Sequence, residues 1–370
     1  MLSSDENILV PGTEACERMQ RYGSAFGRLT VIVAARRSTG AFESPSLCVY
    51  PAFGAGIVAR VIALYRIGLQ NAKKAHFDLV SAQGPDEIGL IGYFLSRRCH
   101  IRLQLQLHTD LFSPQYRRAG LKEQLRILLA RFLLPRADCV RVVSRRIRDF
   151  LVARKLVDEK CITILPIFTD VSRFIAEPPD HALQLRFSKY EPRMIAIGRF
   201  MEKEKNFLLL IDTMREVVKT FPRSVLLIVG EGPDKKLYES KIRMYGLEKN
   251  VVLEPWRDDL PAVLKSFDIL LVSSNYEGWG RVAVEAMAAG LPVVMTDVGL
   301  ARELVRDGEN GKVIAVGDPK GFVHAIEELA HNPQQRALLG RRAQETVTAE
   351  LPQTFEEYVG IYKKMFEKCL

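Results

Sequence analysis

The chain has 370 residues, of which 48% are hydrophobic and 26% are charged. This length suits two domains that each bury a core, and the composition excludes the disordered and fibrous classes. No apolar run is long enough to cross a membrane as a helix, and the N-terminal residues do not read as a secretory signal. We therefore expect a cytoplasmic protein whose contact with a membrane, if it has one, is peripheral.

The formal net charge of +9 is distributed unevenly along the chain. Most of the excess of Lys and Arg lies between residues 117 and 155. Such a bias predicts an anionic partner for the first half of the chain. Charge alone would suggest a nucleic acid, but no nucleic-acid-binding motif accompanies the basic segment, so we do not expect one.

The six cysteines lie far apart in the sequence and form no Cys-x-x-Cys pair. This spacing argues against a zinc site and against a disulfide framework. It favours reduced cysteines in a cytoplasmic protein. The residues are Cys16, Cys48, Cys99, Cys139, Cys161 and Cys369.

Short apolar strands alternate with helical stretches throughout the chain, as in parallel α/β sheets. In the first half we predict strands at 8–10, 29–34, 79–82, 101–107 and 139–143, and helices at 54–74, 86–98 and 121–134. In the second half we predict strands at 194–197, 225–229, 251–253, 269–272, 293–296 and 313–316. The helices predicted there are 206–220, 233–245, 260–265, 282–289, 319–331 and 332–351.

Both periodicities break between residues 170 and 190, where prolines cluster. We therefore predict two doubly wound, Rossmann-like α/β domains that face each other across a cleft. The expected boundaries are 1–170 for the N-terminal domain, 171–190 for a linker and 191–352 for the C-terminal domain. A helix at 353–370 is expected to return to the N-terminal domain.

Two glutamates eight residues apart, Glu277 and Glu285, flank a glycine turn that follows a predicted buried strand. A short helix begins after the turn, so the backbone N–H groups of Gly278, Trp279 and Gly280 are suited to phosphate or sugar hydroxyls. Glu285, about one turn into the helix, can accept hydrogen bonds from two ribose hydroxyls. Glu277, still in the loop, can reach a sugar. The alternative is that the segment has no binding role and is an ordinary turn with two solvated glutamates.

This segment resembles the Glu-x7-Glu signature of retaining glycosyltransferases of the GT-B fold, in particular glycosyltransferase family 4 (glycosyl transferases group 1). The resemblance runs from about residue 75 to 350 and is strongest from 194 to 312. It implies a hexosyltransferase that moves a sugar from a nucleotide-sugar donor to a hydroxyl acceptor with retention at the anomeric carbon. It also implies an acceptor-side N-terminal domain and a C-terminal domain that binds the donor.

Positively charged residues follow the predicted strand 194–197. They are Arg199, within Gly198-Arg199-Phe200, and Lys203 and Lys205. The pattern resembles the family's Gly-Arg-Leu…Lys-Gly element, which implies contacts with the donor's diphosphate. Arg199 can bind two phosphate oxygens at once, and a lysine adds a point charge against the negative charge that develops on the leaving group. Asn206 stands where the family usually has glycine, which leaves Lys203 as an alternative to Lys205, although Lys205 fits the usual spacing.

Two further loops follow predicted strands in the second half. The loop 229–234, Val-Gly-Glu-Gly-Pro-Asp, lacks the third glycine of a dinucleotide site and resembles the family's Gly-x-Gly-Pro loop. Trp256 follows the strand 251–253, where the resemblance implies that the loop passes the nucleobase. Burial of Trp256 in the core is the alternative interpretation.

In the first half, His108 ends a predicted strand within Gln106-Leu-His-Thr-Asp110. A lone histidine usually has a structural role, but the resemblance implies that His108 orients the donor sugar or its leaving oxygen by a hydrogen bond. The N-terminus matches the family least well. Gly12 stands there in place of a glycine pair and is assigned to the acceptor side.

The sequence contains no Asp-x-Asp triplet, the usual carboxylate anchor for a divalent ion on a diphosphate. We therefore expect neither a metal nor a cofactor, with Arg199, Lys205 and the helix start at Gly280 in place of the ion. No side chain is obviously placed as a nucleophile. A front-face mechanism, in which the leaving phosphate accepts the acceptor's proton, is therefore favoured.

Two alternatives use the same residues: a nucleotide-sugar epimerase of the same fold, and a noncatalytic nucleotide-sugar binding protein.

The predicted helix 121–134 allows two interpretations, because it carries an apolar side and a basic side. It is either packed on the core with a solvated basic face or docked on an anionic membrane. Such a membrane would hold lipid-linked acceptors in cell-envelope glycan or glycolipid synthesis. The apolar residues of the predicted helix are Leu121, Leu125, Leu128, Leu129 and Phe132.

Overall fold

The computed structural model describes residues 1–37 and 40–370. Its strands are short and mostly buried, as expected for parallel sheets covered on both faces. In chain order they are β1 (Leu2–Ser3), β2 (Leu29–Ala35), β3 (Phe42–Glu43), β4 (Leu47–Phe53), β5 (Leu79–Ala82), β6 (Arg102–Leu107), β7 (Cys139–Val142), β8 (Ile162–Ile164), β9 (Arg193–Ile197), β10 (Val225–Val229), β11 (Val251–Glu254), β12 (Ile269–Val272), β13 (Val293–Thr296) and β14 (Gly311–Ile314).

Helices alternate with these strands, and several begin at a side-chain cap such as Thr13, Asp86 or Asp318. In chain order they are α1 (Glu14–Phe26), α2 (Ile57–Lys74), α3 (Glu87–Cys99), α4 (Pro114–Arg118), α5 (Leu121–Leu133), α6 (Arg145–Ala153), α7 (Val171–Ala176), α8 (His181–Arg186), α9 (Glu202–Lys205), α10 (Phe207–Thr220), α11 (Lys235–Tyr245), α12 (Leu260–Leu264), α13 (Arg281–Ala288), α14 (Pro319–His331), α15 (Pro333–Glu350) and α16 (Phe355–Glu367). Within the described ranges, no helix is both long and apolar enough to cross a bilayer.

The first compact unit comprises residues 1–166 and 356–370. Its sheet has the order β3-β4-β2-β1-β5-β6-β7-β8, in which β3 pairs antiparallel with β4 and the remaining neighbours pair in parallel. The strands β5, β6 and β7 lie side by side in chain order, with helices as their crossovers. This arrangement is a Rossmann-like domain.

The second compact unit comprises residues 167–355, and its sheet has the order β11-β10-β9-β12-β13-β14. All of its pairings are parallel. The strands β9 to β11 extend in one direction and β12 to β14 in the other, so the strand order reverses between β9 and β12. In open α/β sheets, ligands bind outside the carboxyl ends of the strands at such a reversal. The loops that follow β9 and β12 are therefore the expected ligand-binding loops of this unit.

The C-terminal helix α16 belongs to the first unit, where a buried arginine contacts it. Arg141 on β7 donates to the hydroxyl of Tyr358 at 2.8 Å and to Oε1 of Gln106 at 2.9 Å. Gln106 in turn donates to the hydroxyl of Tyr362 at 2.9 Å. Neutral oxygens thus solvate the buried guanidinium, which reduces the cost of its burial.

Two segments differ from the sequence-based expectation. The predicted strand 8–10 is wrong, because Glu6–Leu9 forms a 3-10 turn capped by Asp5, and the first strand is Leu2–Ser3. Residues 171–190, expected to be a linker, form α7 and α8 within the second unit. Asp170 and Asp180 cap these two helices, so the prolines at 178 and 179 separate helices and do not mark a free linker.

The expectation that all cysteines are reduced is also wrong for one pair. Cys139 and Cys369 form a disulfide with their Cα atoms 5.6 Å apart, whereas Cys16, Cys48, Cys99 and Cys161 are free thiols. The pair is separated by 230 residues in the sequence. Packing of α16 on the first unit brings the two cysteines together, and no local spacing could have revealed it.

Candidate functional site

The candidate site of the second unit forms at the carboxyl ends of β9 and β12. Gly198 and Arg199 follow β9, and Glu277 lies in the loop that follows β12. Because β9 and β12 are neighbouring parallel strands, their following loops meet at the same edge of the sheet. The two loops are called here the β9 loop (residues 198–206) and the β12 loop (residues 273–280).

Hydrogen bonds join the β9 loop to the β12 loop. Ser273 Oγ donates to the carbonyl oxygen of Lys205 at 2.7 Å, and the Asn275 backbone N–H donates to the carbonyl oxygen of Glu204 at 2.8 Å. Asn206 Nδ2 donates to Asn275 Oδ1 at 3.2 Å. Asn206 adopts φ 51° and ψ 46°, the left-handed conformation that asparagine tolerates better than most residues. This conformation explains why asparagine can stand where the family usually has glycine.

Lys205 and Glu277 form an ion pair between the two loops. The distance from Lys205 Nζ to Glu277 Oε1 is 2.5 Å, and Ser274 Oγ donates to the same oxygen at 2.8 Å. Burial alone would lower the pKa of Lys205, but Glu277 and Glu204 outweigh it and raise that pKa above its ordinary value. The Lys205 side chain is 17% exposed, and Lys203 is exposed. The structure thus places Lys205, and not Lys203, beside Glu277.

The turn after Glu277 leads into α13, as the sequence predicts. Gly280 begins that helix with φ 106°, a conformation that favours glycine. Within the described residues, the backbone N–H groups of Gly278, Trp279 and Gly280 donate no hydrogen bond to another backbone group. Glu285 is buried on α13, with one carboxylate oxygen 3.0 Å from Arg281 Nε. Unused donors and a buried carboxylate therefore lie on the same short segment.

One residue that supports this turn was not foreseen from the sequence. Gly299, in the loop after β13, has φ +54°, and a Cβ atom there would lie 2.2 Å from the carbonyl oxygen of Trp279. The next residue, Leu300, donates its backbone N–H to that oxygen at 2.8 Å. Any side chain at 299 would displace the turn. The sequence feature that could have indicated this role is a glycine just after the predicted strand 293–296.

Arg199 and the glycine loop after β10 complete the surroundings of the β9 loop. Arg199 is exposed, and within the described part of the chain its side chain makes no ion pair. A Cβ atom at Gly230 would lie 1.9 Å from the carbonyl oxygen of Gly198. The glycine at 230 thus permits a close approach of two backbones, which is a structural reason for the Gly-x-Gly-Pro loop.

Trp256 is not part of this cluster. It follows β11, which β10 separates from β9 in the sheet. The side chain is 46% exposed, so it is not a core residue, and its Nε1 donates to Asp258 at 3.2 Å. Neighbouring Arg257 is held by Asp180 and Asp259. A role for the Trp256 ring against a nucleobase remains a prediction.

His108 and Gly12 lie in the first unit. His108 follows β6 and is half-buried, and desolvation, together with the charges of Arg141 and Arg18, lowers its pKa to about 3. Its imidazole is therefore neutral near pH 7 and can act as a hydrogen-bonding group. Gly12, exposed with φ +82°, precedes the cap of α1, the helix that carries Arg18. No group of three or more His, Cys, Asp or Glu within the described residues could hold a metal ion.

Each half of the chain matches a model of a glycosyltransferase family. Residues 180–346 match the family model of glycosyl transferases group 1, and residues 14–173 match that of glycosyltransferase family 4. The chain belongs to the family 4-like glycosyltransferases of the GT-B fold. This confirms the family predicted from the sequence and the prediction of two Rossmann-like α/β domains of the GT-B class.

Relatives are found among named glycosyltransferases. The lipopolysaccharide core biosynthesis glycosyltransferase LpsE of Rhizobium meliloti is 32% identical over 51% of this chain and 53% of its own. The UDP-Gal:α-D-GlcNAc-diphosphoundecaprenol α-1,3-galactosyltransferase of Escherichia coli is 24% identical over 72% of this chain and 68% of its own. The chain spans about half the length of several curated relatives that it matches.

The fold has a close counterpart among solved structures. The crystal structure of Anabaena HepE in complex with UDP-glucose superimposes with a TM-score of 0.77 at 22% identity, covering 99% of this chain and 98% of that one. At this identity the likeness establishes the fold alone.

Proposed function

We propose that this protein transfers a sugar from a nucleotide-sugar donor to a hydroxyl acceptor, with retention at the anomeric carbon, in cell-envelope glycan or glycolipid synthesis. The observation that carries the proposal is the cluster at the strand reversal of the second unit. There Lys205 and Glu277 lie on two loops that are hydrogen-bonded to each other, and Glu285 lies on α13, which follows the second loop. Within the described residues, the backbone N–H groups at 278–280 make no backbone hydrogen bond.

Each part of the cluster suits one part of the donor. Glu285 accepts hydrogen bonds from the ribose hydroxyls, and Glu277 contacts the sugar. Arg199 and Lys205 bind the diphosphate, assisted by the N–H groups at 278–280 and the start of α13. Gly198 belongs to this set because its lack of a side chain leaves room for the Lys205 stem, whose Cδ would lie 3.3 Å from a Cβ there.

In the proposed reaction, the bond between the anomeric carbon and the phosphate oxygen breaks while the acceptor oxygen bonds to that carbon from the same face. The leaving phosphate oxygen takes the acceptor's proton. Negative charge develops on the diphosphate, and the positive charges of Arg199 and Lys205 stabilise it. Neutral His108 orients the sugar or its leaving oxygen by a hydrogen bond, and Gly12 borders the acceptor. No metal or cofactor takes part.

The donor class and the pathway draw support from relatives. HepE was crystallised with UDP and with UDP-glucose, which supports a nucleotide sugar as donor. LpsE acts in lipopolysaccharide core synthesis, and the Escherichia coli relative is named for a diphosphoundecaprenol acceptor. These names support a lipid-linked acceptor in the cell envelope.

Peripheral binding to an anionic membrane forms part of the proposal, and the exposure of α5 supports it. Leu121 is 84% exposed, Leu125 59%, Leu128 60% and Phe132 41%. These four residues, here called the leucine face, share one side of the helix because their spacing is helical. Ile127, Ala130 and Leu133 are buried instead, so the helix packs on the core through another side. A solvated basic face does not explain so much exposed apolar surface.

A panel of UDP, GDP and ADP sugars tests the activity. We expect binding and slow hydrolysis of at least one donor, and faster turnover with a lipid-linked acceptor. A free epimerised sugar as product, or binding without any turnover, would contradict the proposal.

Flotation with vesicles tests the membrane contact separately. The double variant Leu121→Ser/Leu125→Ser should lose association with vesicles that contain anionic lipid at low salt. The control Leu185→Ser/Leu237→Ser removes two exposed leucines from the second unit and should float like the wild type. Association that is indifferent to lipid charge, or equal in both variants, would reject the membrane contact.

A further inference from the structure

The first unit contains a cavity of about 600 Å³ between α4 and α5. A second cavity of about 240 Å³ adjoins it, because Arg117 and Arg131 line both. Together they form a single space here called the arginine cavity. Its basic lining consists of Arg117, Arg118, Arg131 and Arg154, and its apolar lining includes Ile127, Leu128, Phe112 and Phe150.

The cations of this cavity have no counter-ion in the described part of the chain. The side chains of Arg117, Arg118 and Arg131 make no hydrogen bond or ion pair there. Arg154 lies over the ring of Phe150, 5.6 Å from its centroid, and has no carboxylate partner within the described residues. Four guanidinium groups around one space repel each other unless an anion lies between them.

Several carboxylates of the first unit are held by arginines that do not line the arginine cavity. Asp86 and Glu87 both pair with Arg126, at 3.6 and 2.5 Å. On α6, the helix that carries Phe150, Arg148 holds Glu159 at 2.9 Å. None of these ion pairs includes an arginine of the cavity.

The cavity is continuous with the leucine face. Leu128 lines the cavity and is also one of the exposed leucines of α5. An occupant that uses both surfaces carries an anionic group and a hydrocarbon chain. The cavity's volume lies in the range typical of sites for small molecules, which is about 300–1,000 Å³.

We infer that the arginine cavity binds the diphosphate group of a lipid-linked acceptor, with the hydrocarbon chain lying along the leucine face. A phosphodiester headgroup carries a single negative charge, whereas a diphosphate ester carries more and matches several unpaired arginines better. Guanidinium groups bind phosphate oxygens in pairs, which adds geometric selectivity. The inference rests on the proposed function and names the chemical class of its acceptor.

The chain itself links this cavity to His108. Phe112, which lines the cavity, follows His108 by four residues, and so few residues span at most about 14 Å. A diphosphate in the cavity therefore lies near enough to His108 for the first sugar of the same acceptor to approach it.

Binding of farnesyl diphosphate to the full-length protein, measured by calorimetry, tests the inference. Every experiment contains a saturating concentration of the tightest-binding nucleoside diphosphate among UDP, GDP and ADP, which keeps this ligand out of the proposed donor site. The wild type should bind farnesyl diphosphate at least tenfold more tightly than inorganic pyrophosphate or farnesol. The variant Arg117→Gln/Arg131→Gln should weaken that binding about 10- to 100-fold, since it removes charge-assisted contacts. Arg118→Gln provides a second variant in case the double variant is unstable.

The matched control is Lys73→Ala/Lys74→Ala, which removes two exposed positive charges from α2 of the same unit. It should bind farnesyl diphosphate within twofold of the wild type. The affinity for that nucleoside diphosphate, measured without farnesyl diphosphate, should be unchanged in all variants. Failure of the proposed function would show as a wild type that neither binds nor hydrolyses any nucleotide sugar, whatever the farnesyl diphosphate result.

Several results would overturn the inference. Equal affinities for pyrophosphate and farnesyl diphosphate would identify a site for a soluble anion. Unchanged farnesyl diphosphate binding in both arginine variants would place the ligand elsewhere. Loss of vesicle flotation in those variants with farnesyl diphosphate binding intact would identify a site for bilayer headgroups.

Discussion

Lys205 and Glu277 lie on different loops, and the lysine Nζ is 2.5 Å from the glutamate Oε1. The proposed diphosphate-binding cation is thus paired with the proposed sugar-binding carboxylate. A bound diphosphate would offer the lysine a second anion and would leave the carboxylate free to accept sugar hydroxyls. Within the pair, each largely buried charge compensates the other.

Glu277→Gln should separate nucleotide binding from transfer. The change removes the negative charge nearest to Lys205, leaves Glu204 at 3.4 Å and keeps the side chain's shape. Affinity for the nucleoside diphosphate should therefore stay within threefold of the wild type or improve. Transfer should fall at least 30-fold, because the sugar loses its carboxylate contact. Calorimetry with the nucleoside diphosphate and initial rates with the full donor measure the two effects. Parallel losses in both would contradict this assignment.

Arg199→Ala and Glu285→Ala should each abolish most donor turnover while the thermal unfolding midpoint stays close to that of the wild type. Each removes a charge-assisted contact worth about 2–4 kcal/mol, roughly a 30- to 1000-fold loss of rate. Arg223→Ala and Glu309→Ala, at exposed positions of the same unit, are matched controls. Activity of either site variant within threefold of the wild type would remove that residue from the site.

Turnover should survive EDTA, since cations of the chain and the start of α13 are proposed to stabilise the leaving diphosphate. Initial rates with and without EDTA, followed by addition of magnesium or manganese, provide the measurement. A rate that EDTA stops and a divalent ion restores would show that the reaction needs a metal.

His108 should make folding less favourable as the pH falls below 6.5. Its pKa is lowered from 6.5 to about 3 in the folded protein. Between these values the unfolded chain binds the proton and the folded chain does not, so stability rises with pH in that window. His108→Asn should therefore lose less thermal stability than the wild type between pH 7 and 4.5. His181→Asn, at an exposed position, should follow the wild type, and identical slopes for all three proteins would refute this account.

The sequence reveals most of the buried parallel strands, but β4 and β8 were not predicted. The bounds 79–82, 225–229, 269–272 and 293–296 match the structure, because strands covered on both faces appear as short apolar runs. It fails where local signals are weak or misleading. The helix α1 was missed in a polar N-terminal stretch, and Ile8 and Leu9 are buried from a 3-10 turn that resembles a strand in sequence.

In the candidate site, too, some features could be predicted from the sequence and others could not. The Glu277 to Glu285 segment is local, so its turn and helix could be predicted from adjacent residues. The pairing of Lys205 with Glu277, the support from Gly299 and the disulfide between Cys139 and Cys369 depend on contacts between distant segments. Such contacts follow from strand order and packing, which periodicity alone does not fix.

The most direct test of a donor site between the β9 and β12 loops compares two lysines two residues apart. The measurement is the dissociation constant of the tightest-binding nucleoside diphosphate among UDP, GDP and ADP, for Lys205→Ala and for Lys203→Ala. Because Lys205 lies beside Glu277 and Lys203 is exposed, Lys205→Ala should weaken binding at least tenfold, and Lys203→Ala should stay within twofold of the wild type. Equal effects of the two substitutions, or no effect of Lys205→Ala, would contradict the site.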